Sequence, residues 1–164
     1  MQFSLTPMTA DAARTILYWR YPEPYALYNL KAENEAEELG YFLEPHYDYH
    51  ALHDETGQLV GFCCFGQEGQ VPGGDYSEAA LDIGLGMRPD LTGQGLGDAF
   101  LAAILAFADQ EFAPKCLRAT IAKFNGRSMR VFAKAGFQPI QTFLSRSEPP
   151  REFVVMVKEV DSRR

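Results

Sequence analysis

The residues with the clearest chemical potential are the glycines of segment 92–97 (TGQGLG), which stands between an apolar, strand-like segment and a helix-patterned segment. Glycine has no side chain, so the backbone N–H groups of such a loop stay uncovered. The first turn of the following helix adds unpaired N–H groups and the positive end of its dipole. These groups stabilise an anion, and the segment is therefore predicted to bind a diphosphate.

Spacing separates the known phosphate-binding designs. A P-loop has Lys and then Ser or Thr directly after its last glycine, whereas Asp98 follows Gly97 here. A dinucleotide fingerprint G-x-G-x-x-G that starts at Gly93 has Asp98 in place of its third glycine. One that starts at Gly95 has Phe100 there. The remaining alternatives are a different diphosphate cradle and a flexible glycine-rich turn without a ligand.

Composition narrows the class of partner. The 164-residue chain has a net charge of -7, and this composition does not indicate the basic face that nucleic-acid binding needs, which argues against nucleic acid. No segment reaches the roughly 20 apolar residues of a membrane span, and the first residues do not resemble a signal peptide. The three cysteines include the adjacent pair Cys63 and Cys64, which argues against a disulfide framework. We therefore expect a cytoplasmic protein without a membrane partner.

Hydrophobic periodicity predicts one α/β domain over residues 1–164, with a mixed central sheet of six or seven strands and helices on both faces. Thr9 caps the first predicted helix and Gly40 ends the second. The predicted strands are 2–6, 47–53, 59–65, a strand from 81, 117–121, 140–143 and 153–157, and the predicted helices are 10–19, one around 33–38, 98–112 and one from 125 to 136. Segment 66–76 is predicted to be a loop.

Segment 92–97 resembles the coenzyme A loop of the GNAT acetyltransferase superfamily, except that Thr92 stands where Arg or Gln is usual. Segment 125–137 is similar to a second signature of that superfamily. The resemblance is specific over residues 81–137, and element order alone supports it at both ends. It implies a single-domain GNAT fold that uses acetyl-CoA and a primary amine acceptor, either a small molecule or a peptide or protein N-terminus. A homodimer is one option for its assembly.

The resemblance also implies roles for individual residues. Backbone groups of Leu85 and Met87, on a strand that splays from its neighbour, would hold the pantetheine arm and the oxyanion. Gly84 and Gly86 would permit this approach, or else they relieve crowding. Asn125 would contact the coenzyme, act as an N-cap, or do both. The implied coenzyme-binding set contains no metal and consists of Leu85, Gly86, Met87, Thr92, Gly93, Gln94, Gly95, Leu96, Gly97, Asn125, Ser128 and Phe132.

Two positions depart from the family pattern. Phe132 stands where many relatives have a proton-donating Tyr, and Thr120 stands where relatives often have a Glu base. The resemblance implies that a neutral amine attacks acetyl-CoA directly in a ternary complex. The acceptor is then either weakly basic, or deprotonated through water by Asp82, which is otherwise a solvated strand carboxylate. The rival prediction is a catalytically impaired GNAT fold that binds coenzyme A as a sensor or scaffold.

Other groups have weaker claims to chemistry. Three histidines with two aspartates in segment 46–54 could suggest a metal, but side chains at this spacing converge less readily on a strand than on a helix, which favours a surface or acceptor-pocket role. The three cysteines fit buried apolar positions better than a nucleophile. The acidic run 33–38 could attract a cationic acceptor or form a solvated helix face. A cluster of aromatic residues in segment 18–28 is predicted either to pack in the core or to form a wall of the acceptor site. It consists of Tyr18, Trp19, Tyr21, Tyr25 and Tyr28.

Overall fold

Seven strands form one sheet in the computed structural model, which describes residues 1–160. The strands are β1 (Phe3–Pro7), β2 (Tyr49–Asp54), β3 (Leu59–Phe65), β4 (Leu81–Met87), β5 (Cys116–Ala122), β6 (Gln138–Leu144) and β7 (Glu152–Glu159). The α-helices of these residues are α1 (Ala10–Leu17), α2 (Glu35–Leu43), α3 (Gly97–Phe112) and α4 (Gly126–Lys134). This arrangement confirms the predicted mixed α/β fold. None of the described helices is long and apolar enough to cross a membrane.

The sheet has the order β1-β2-β3-β4-β5-β7-β6, and its pairs are antiparallel except for β4 and β5. The parallel pairing of β4 with β5 runs from Leu81 opposite Leu117 to Ile83 opposite Ala119. Beyond this point β4 continues to Met87, while β5 continues in register with β7 alone. The two central strands therefore diverge, and a gap opens in the middle of the sheet.

Helices cover both faces of the sheet. Phe100, Leu101 and Ile104 of α3 are buried against β-strand residues that include Cys63. On the opposite face, Ala13 and Ile16 of α1 form a second apolar cluster with α2 and with the neighbouring strand residue Phe62. Successive residues of a strand point to opposite faces, so β3 contributes to both clusters. Full burial of one large apolar side chain stabilises the fold by about 1.5–3 kcal/mol.

The second helix corrects one prediction. Gly40 does not end it, because α2 continues to Leu43. Phe42 in the extra turn is buried, and its ring packs against Tyr49 and Phe62 at centroid distances of 4.9 Å and 5.9 Å. This packing offsets the roughly 1 kcal/mol that an interior glycine costs a helix. The predicted N-cap of α1 is confirmed, since the Thr9 side chain accepts a hydrogen bond from Ala12 N.

Candidate functional site

A cavity of about 570 Å³ lies where β4 and β5 diverge. Part of its wall is the cradle, which we define as residues 92–97, together with the first turn of α3 and residues of α4. Every cradle residue except Gln94 lines the cavity. Another part is an aromatic chamber, which we define as Trp19, Tyr21, Tyr28, Phe42, Tyr49 and Phe62. Between these regions the wall is formed by the unpaired half of β4. Segments far apart in the sequence thus meet around one space.

Backbone groups of β4 point into the gap. Two ladder hydrogen bonds set the alternation along β3 and β4: Gly66 N to Asp82 O and Arg88 N to Val60 O, both 2.8 Å long. In an antiparallel pair this alternation turns the N–H and C=O groups of every second residue away from the partner strand. Leu85 and Met87 occupy those positions. The Met87 carbonyl already accepts a hydrogen bond from the Tyr21 hydroxyl at 2.6 Å, so both backbone groups of Leu85 and the Met87 N–H face the gap.

The two glycines of β4 have a packing role. A Cβ atom on Gly86 would lie 2.5 Å from Phe62 Cε1, and one on Gly84 would lie 2.8 Å from Cys64 Sγ. The glycines therefore relieve crowding, and the crowding groups are side chains of the neighbouring strand β3. Their absence of side chains lets the Phe62 ring lie over β4, where it forms part of the chamber wall.

The cradle is shaped by backbone conformation. Gly93 and Gly95 have φ angles of 74° and 79°, in the left-handed region that side chains disfavour. Leu96, the residue before α3, makes no side-chain capping hydrogen bond, so no such cap satisfies the first N–H groups of this helix. The side chains of Thr92 and Gln94 bond back to the preceding turn, at Pro89 O and Asp90 O. The cradle thus offers a ligand backbone donors.

Three cations of α4 also line the cavity, and sequence reasoning does not identify them. Arg127, Arg130 and Lys134 follow one another at spacings of three and four, which places them on one face of a helix. That spacing is visible in the sequence, although the net charge of the whole chain is negative. Lys134 lies 3.5 Å from Asp98 in an exposed ion pair. The cations add positive charge to a loop already suited to an anion.

Asn125 connects α4 to the chamber. Its side-chain oxygen accepts a hydrogen bond from Ser128 N at 3.2 Å, which confirms its predicted role as an N-cap. Its side-chain nitrogen donates to the Tyr28 hydroxyl at 3.2 Å. Ser128 and Phe132 also line the cavity, and the buried Phe132 ring packs edge-on against Phe137. At that position the wall is apolar.

The chamber presents aromatic rings, and two of its hydroxyl groups already have partners within the protein. The Tyr21 hydroxyl donates to Met87 O, and the Tyr28 hydroxyl accepts from the Asn125 side-chain nitrogen. Burial raises the pKa of Tyr21 to about 12, and burial also raises the pKa of Tyr49. These phenols are therefore neutral at physiological pH. The sequence predicts an acceptor-wall role for Trp19, Tyr21 and Tyr28, whereas the other chamber residues come from other segments. Of the remaining predicted aromatic residues, Tyr25 lines the cavity and Tyr18 is exposed.

Thr120, at the position where relatives often have Glu, lines the cavity. Its hydroxyl lies 2.8 Å from the Tyr76 hydroxyl. Tyr76 in turn accepts a hydrogen bond from Val71 N at 2.9 Å. The segment that was predicted to be a plain loop, which also contains a 3-10 turn at Gln67–Gly69, thereby supports the floor of the site.

Asp82 lies elsewhere. It is 2% exposed, is not among the residues that line the cavity, and forms a bidentate ion pair with Arg118 at 2.7 Å and 2.8 Å. Gln70 donates a further hydrogen bond to it at 2.9 Å. These contacts argue against both sequence hypotheses, the base acting through water and the solvated carboxylate. The pair instead links β4 to β5 one residue before their pairing ends.

The histidines, the cysteines and the acidic run 33–38 lie in surroundings that do not favour chemistry. The His50 ring packs against Phe107 at 4.7 Å, and no group of three or more metal-ligating side chains occurs within residues 1–160. Cys63 and Cys64 are buried, and burial raises the pKa of the Cys64 thiol to about 12, which makes it a poor nucleophile. In the acidic run, Glu35 pairs with Arg14 at 2.9 Å. None of the acidic residues of that run lines the cavity.

Comparisons with known proteins agree with this architecture. Residues 2–138 match the family described as "Acetyltransferase (GNAT) domain". No curated protein sequence matches the chain. The aminoglycoside acetyltransferase AAC(6')-Ib, in complex with ribostamycin and coenzyme A, has a TM-score of 0.77 at 16% identity, over 100% of this chain and 99% of that one. A second structure of that enzyme, with acetyl-CoA, has a TM-score of 0.77 at 15% identity, again over 100% and 99%.

A third structure is a spermidine N-acetyltransferase chimera from Vibrio cholerae and hSSAT. It has a TM-score of 0.71 at 12% identity, over 97% of this chain and 96% of that one. At such low identities these likenesses show the fold. The names of these structures give no support to the alternative of a catalytically impaired scaffold.

Proposed function

Because the chain belongs to the GNAT acetyltransferase family, we propose that it is an N-acetyltransferase that moves the acetyl group of acetyl-CoA to a primary amine. The observation that carries this proposal is the single cavity that joins a glycine cradle, an unpaired strand and an aromatic chamber. A diphosphate, a peptide-like arm and an amine each require a different surface. The three regions supply them in one continuous space.

Coenzyme A suits the donor part of the cavity. The cradle N–H groups, the first turn of α3 and the basic face of α4 would hold the diphosphate. The free backbone groups of Leu85 and Met87 would pair with the amides of the pantetheine arm as an added strand does. An N–H donor at the same place would stabilise the oxyanion, and such a preorganised donor contributes roughly 3–4 kcal/mol in a transition state.

The reaction is a direct transfer within a ternary complex. The neutral amine nitrogen attacks the acetyl carbonyl carbon, a C–N bond forms, and the C–S bond then breaks. The amine loses one proton and the departing sulfur gains one, so the products are an amide and free thiol. Phe132 has no proton to give, but a thiol of pKa about 8.5 leaves acceptably as the thiolate. No enzyme nucleophile is needed, which agrees with the burial of Cys63 and Cys64.

Two measurements with purified protein test the proposal. Calorimetric titration with acetyl-CoA is expected to show saturable binding, and a thiol-release assay is expected to show amine-dependent turnover over a panel of small amines and peptide N-termini. Absence of acetyl-CoA binding would contradict the donor site. Binding without thiol release from any amine would instead indicate a coenzyme-binding scaffold.

A further inference from the structure

The chamber is uncharged, in contrast to the rest of the cavity. The charged side chains among the described cavity-lining residues are Asp98, Arg127, Arg130 and Lys134, all from α3 and α4. Two other carboxylates, Glu38 and Glu68, raise the pKa of the Tyr49 phenol through their charge, but neither lines the cavity. The surface available to an acceptor is therefore built from aromatic rings, and the Tyr21 and Tyr28 hydroxyls already bond within the protein.

Such a surface selects against a polycation. A primary ammonium gives up strong hydration when it enters a site without a counter-charge, and attraction to aromatic rings recovers only part of that loss. An apolar ring gains free energy from the same transfer. The acidic run of α2, which could have attracted a cation, does not reach the cavity wall.

The chamber also lacks a carboxylate to remove a proton from the amine. A lysine-like amine with a pKa of about 10.4 is neutral in roughly one molecule in 2,500 at pH 7. An α-amino group with a pKa near 7.7–8.0 is neutral in roughly one molecule in ten. Thr120 occupies the wall where a carboxylate could have stood, and its hydroxyl bonds to Tyr76. An acceptor that is already neutral needs no such base.

We infer that the acceptor is a weakly basic primary amine carried on an aromatic body. This inference rests on the proposed acetyltransferase function and names the substrate class of the same site. The aromatic body would lie among the chamber rings, and the amine would approach the gap between β4 and β5. The acceptor class thus differs from the aminoglycoside and spermidine named for structures of similar fold.

Four amines test this class by comparison of kcat/KM at pH 7. Phenylalaninamide has a weakly basic amine and an aromatic ring, glycinamide lacks the ring, phenethylamine is strongly basic, and spermidine is a polycation. We expect phenylalaninamide to exceed glycinamide by about 10- to 100-fold, from burial of the ring. We expect it to exceed phenethylamine by up to roughly 250-fold, from the ratio of neutral fractions.

The outcomes separate the two levels of the argument. Turnover that is equal for all four amines, or greatest with glycinamide, phenethylamine or spermidine, overturns the acceptor class and leaves the acetyltransferase function standing. No thiol release from these four amines, with release from other members of the wider panel, likewise overturns only the acceptor class. No thiol release from any amine or peptide N-terminus of the wider panel overturns the function itself. Measured acetyl-CoA affinity in the same preparations shows whether the protein is folded.

Chamber variants sharpen the test. Trp19→Leu should raise KM for phenylalaninamide about 5- to 10-fold, because ring contacts are lost, and should raise KM for glycinamide and the Kd for acetyl-CoA much less. Trp19→Phe, which keeps a ring, should recover most of the loss. Thr120→Glu should raise the turnover of phenethylamine relative to phenylalaninamide, because it supplies a base. An equal effect of Trp19→Leu on both amides would overturn the inference.

Discussion

The cradle and the chamber line the same cavity, yet they are built by opposite means. The cradle presents backbone groups, because Gly93 and Gly95 have left-handed conformations and the helix that follows begins without a side-chain cap. Cations from α4 lie on the same cavity wall. The chamber presents side chains. Its six aromatic rings come from α2, two strands and the segment after α1, and none of them carries a charge. In the proposed function, the cradle would hold a part of the ligand that is common to every reaction of coenzyme A, whereas the chamber would hold the part that distinguishes one acceptor from another.

These two kinds of wall would allow one cavity to bind two different ligands. Backbone donors are independent of side-chain identity, so a local segment with the right glycines is enough to form an anion site. A pocket made of side chains depends on which residues the fold brings together. Between the two regions lies the divergence of β4 and β5, and the buried Asp82–Arg118 pair sits just before it. Changes there should affect both regions, and changes elsewhere should affect one.

The largest effect is expected from Asp82→Asn. It leaves the Arg118 guanidinium buried without its counter-charge, and removal of one partner of a buried pair costs about 3–5 kcal/mol of unfolding free energy. Urea denaturation measures the loss. The matched control is Glu35→Gln, which breaks the exposed pair with Arg14 and should cost less than about 1 kcal/mol. Unchanged stability with an altered pH profile of turnover would instead restore Asp82 as the base.

High pH should lower the unfolding free energy, because several thiols and phenols are buried in their neutral form. The Cys64 thiol has a pKa of about 12 when folded, against about 8.5 in an unfolded chain. Between these values the unfolded chain binds fewer protons, so the unfolding free energy falls as pH rises, by about 1.4 kcal/mol per pH unit for each such group. Burial acts in the same direction on Cys63, Tyr21 and Tyr49. Stability is thus fully present below about pH 8.5.

Denaturation curves from pH 7 to 11 check this slope. Cys64→Ala should make it shallower by removing one titrating group. A flat unfolding free energy up to pH 11 would show that these thiols and phenols are not held neutral by the fold.

Gly95→Val should act on the cradle alone. A β-branched side chain at a φ of 79° strains the backbone by roughly 1–2 kcal/mol. Relief of that strain should move the cradle N–H groups away from the position of the diphosphate. We expect the Kd for acetyl-CoA to rise about tenfold, as measured by calorimetry. Gly57→Val is the control, because Gly57 has a φ of 87° and open space but lies in a hairpin turn outside the cavity. Equal Kd changes in both variants would count against the cradle.

The smallest effect is expected from Arg130→Gln. It removes one of the three cations of α4 and should raise the Kd for acetyl-CoA about fivefold at low salt, with less change at high salt because ions screen the charge. The acceptor KM should stay constant. Arg14→Gln, which removes a cation outside the cavity, provides the comparison. A salt-independent effect, or one on the acceptor alone, would contradict the assignment of these cations to the donor region.

The sequence determined the elements of this fold and the cradle. Glycine spacing, the apolar strand before it and the periodic helix after it are local features, and local backbone physics acts on them directly. The Asn125 cap and the spacing of the three basic residues of α4 are also local features that the sequence alone contains. Gly40 shows the limit of local reasoning, because a helix stop was overruled by the distant packing of Phe42.

The chamber and the position of Asp82 depend on contacts between segments that are distant in the sequence. Phe42, Tyr49 and Phe62 are unremarkable apolar residues until the sheet order brings them opposite Trp19 and Tyr21. Asp82 looks available in a strand, but Arg118, 36 residues away, occupies both of its oxygens once β4 and β5 pair. Contacts between distant segments depend on strand register and helix packing, which no local pattern encodes.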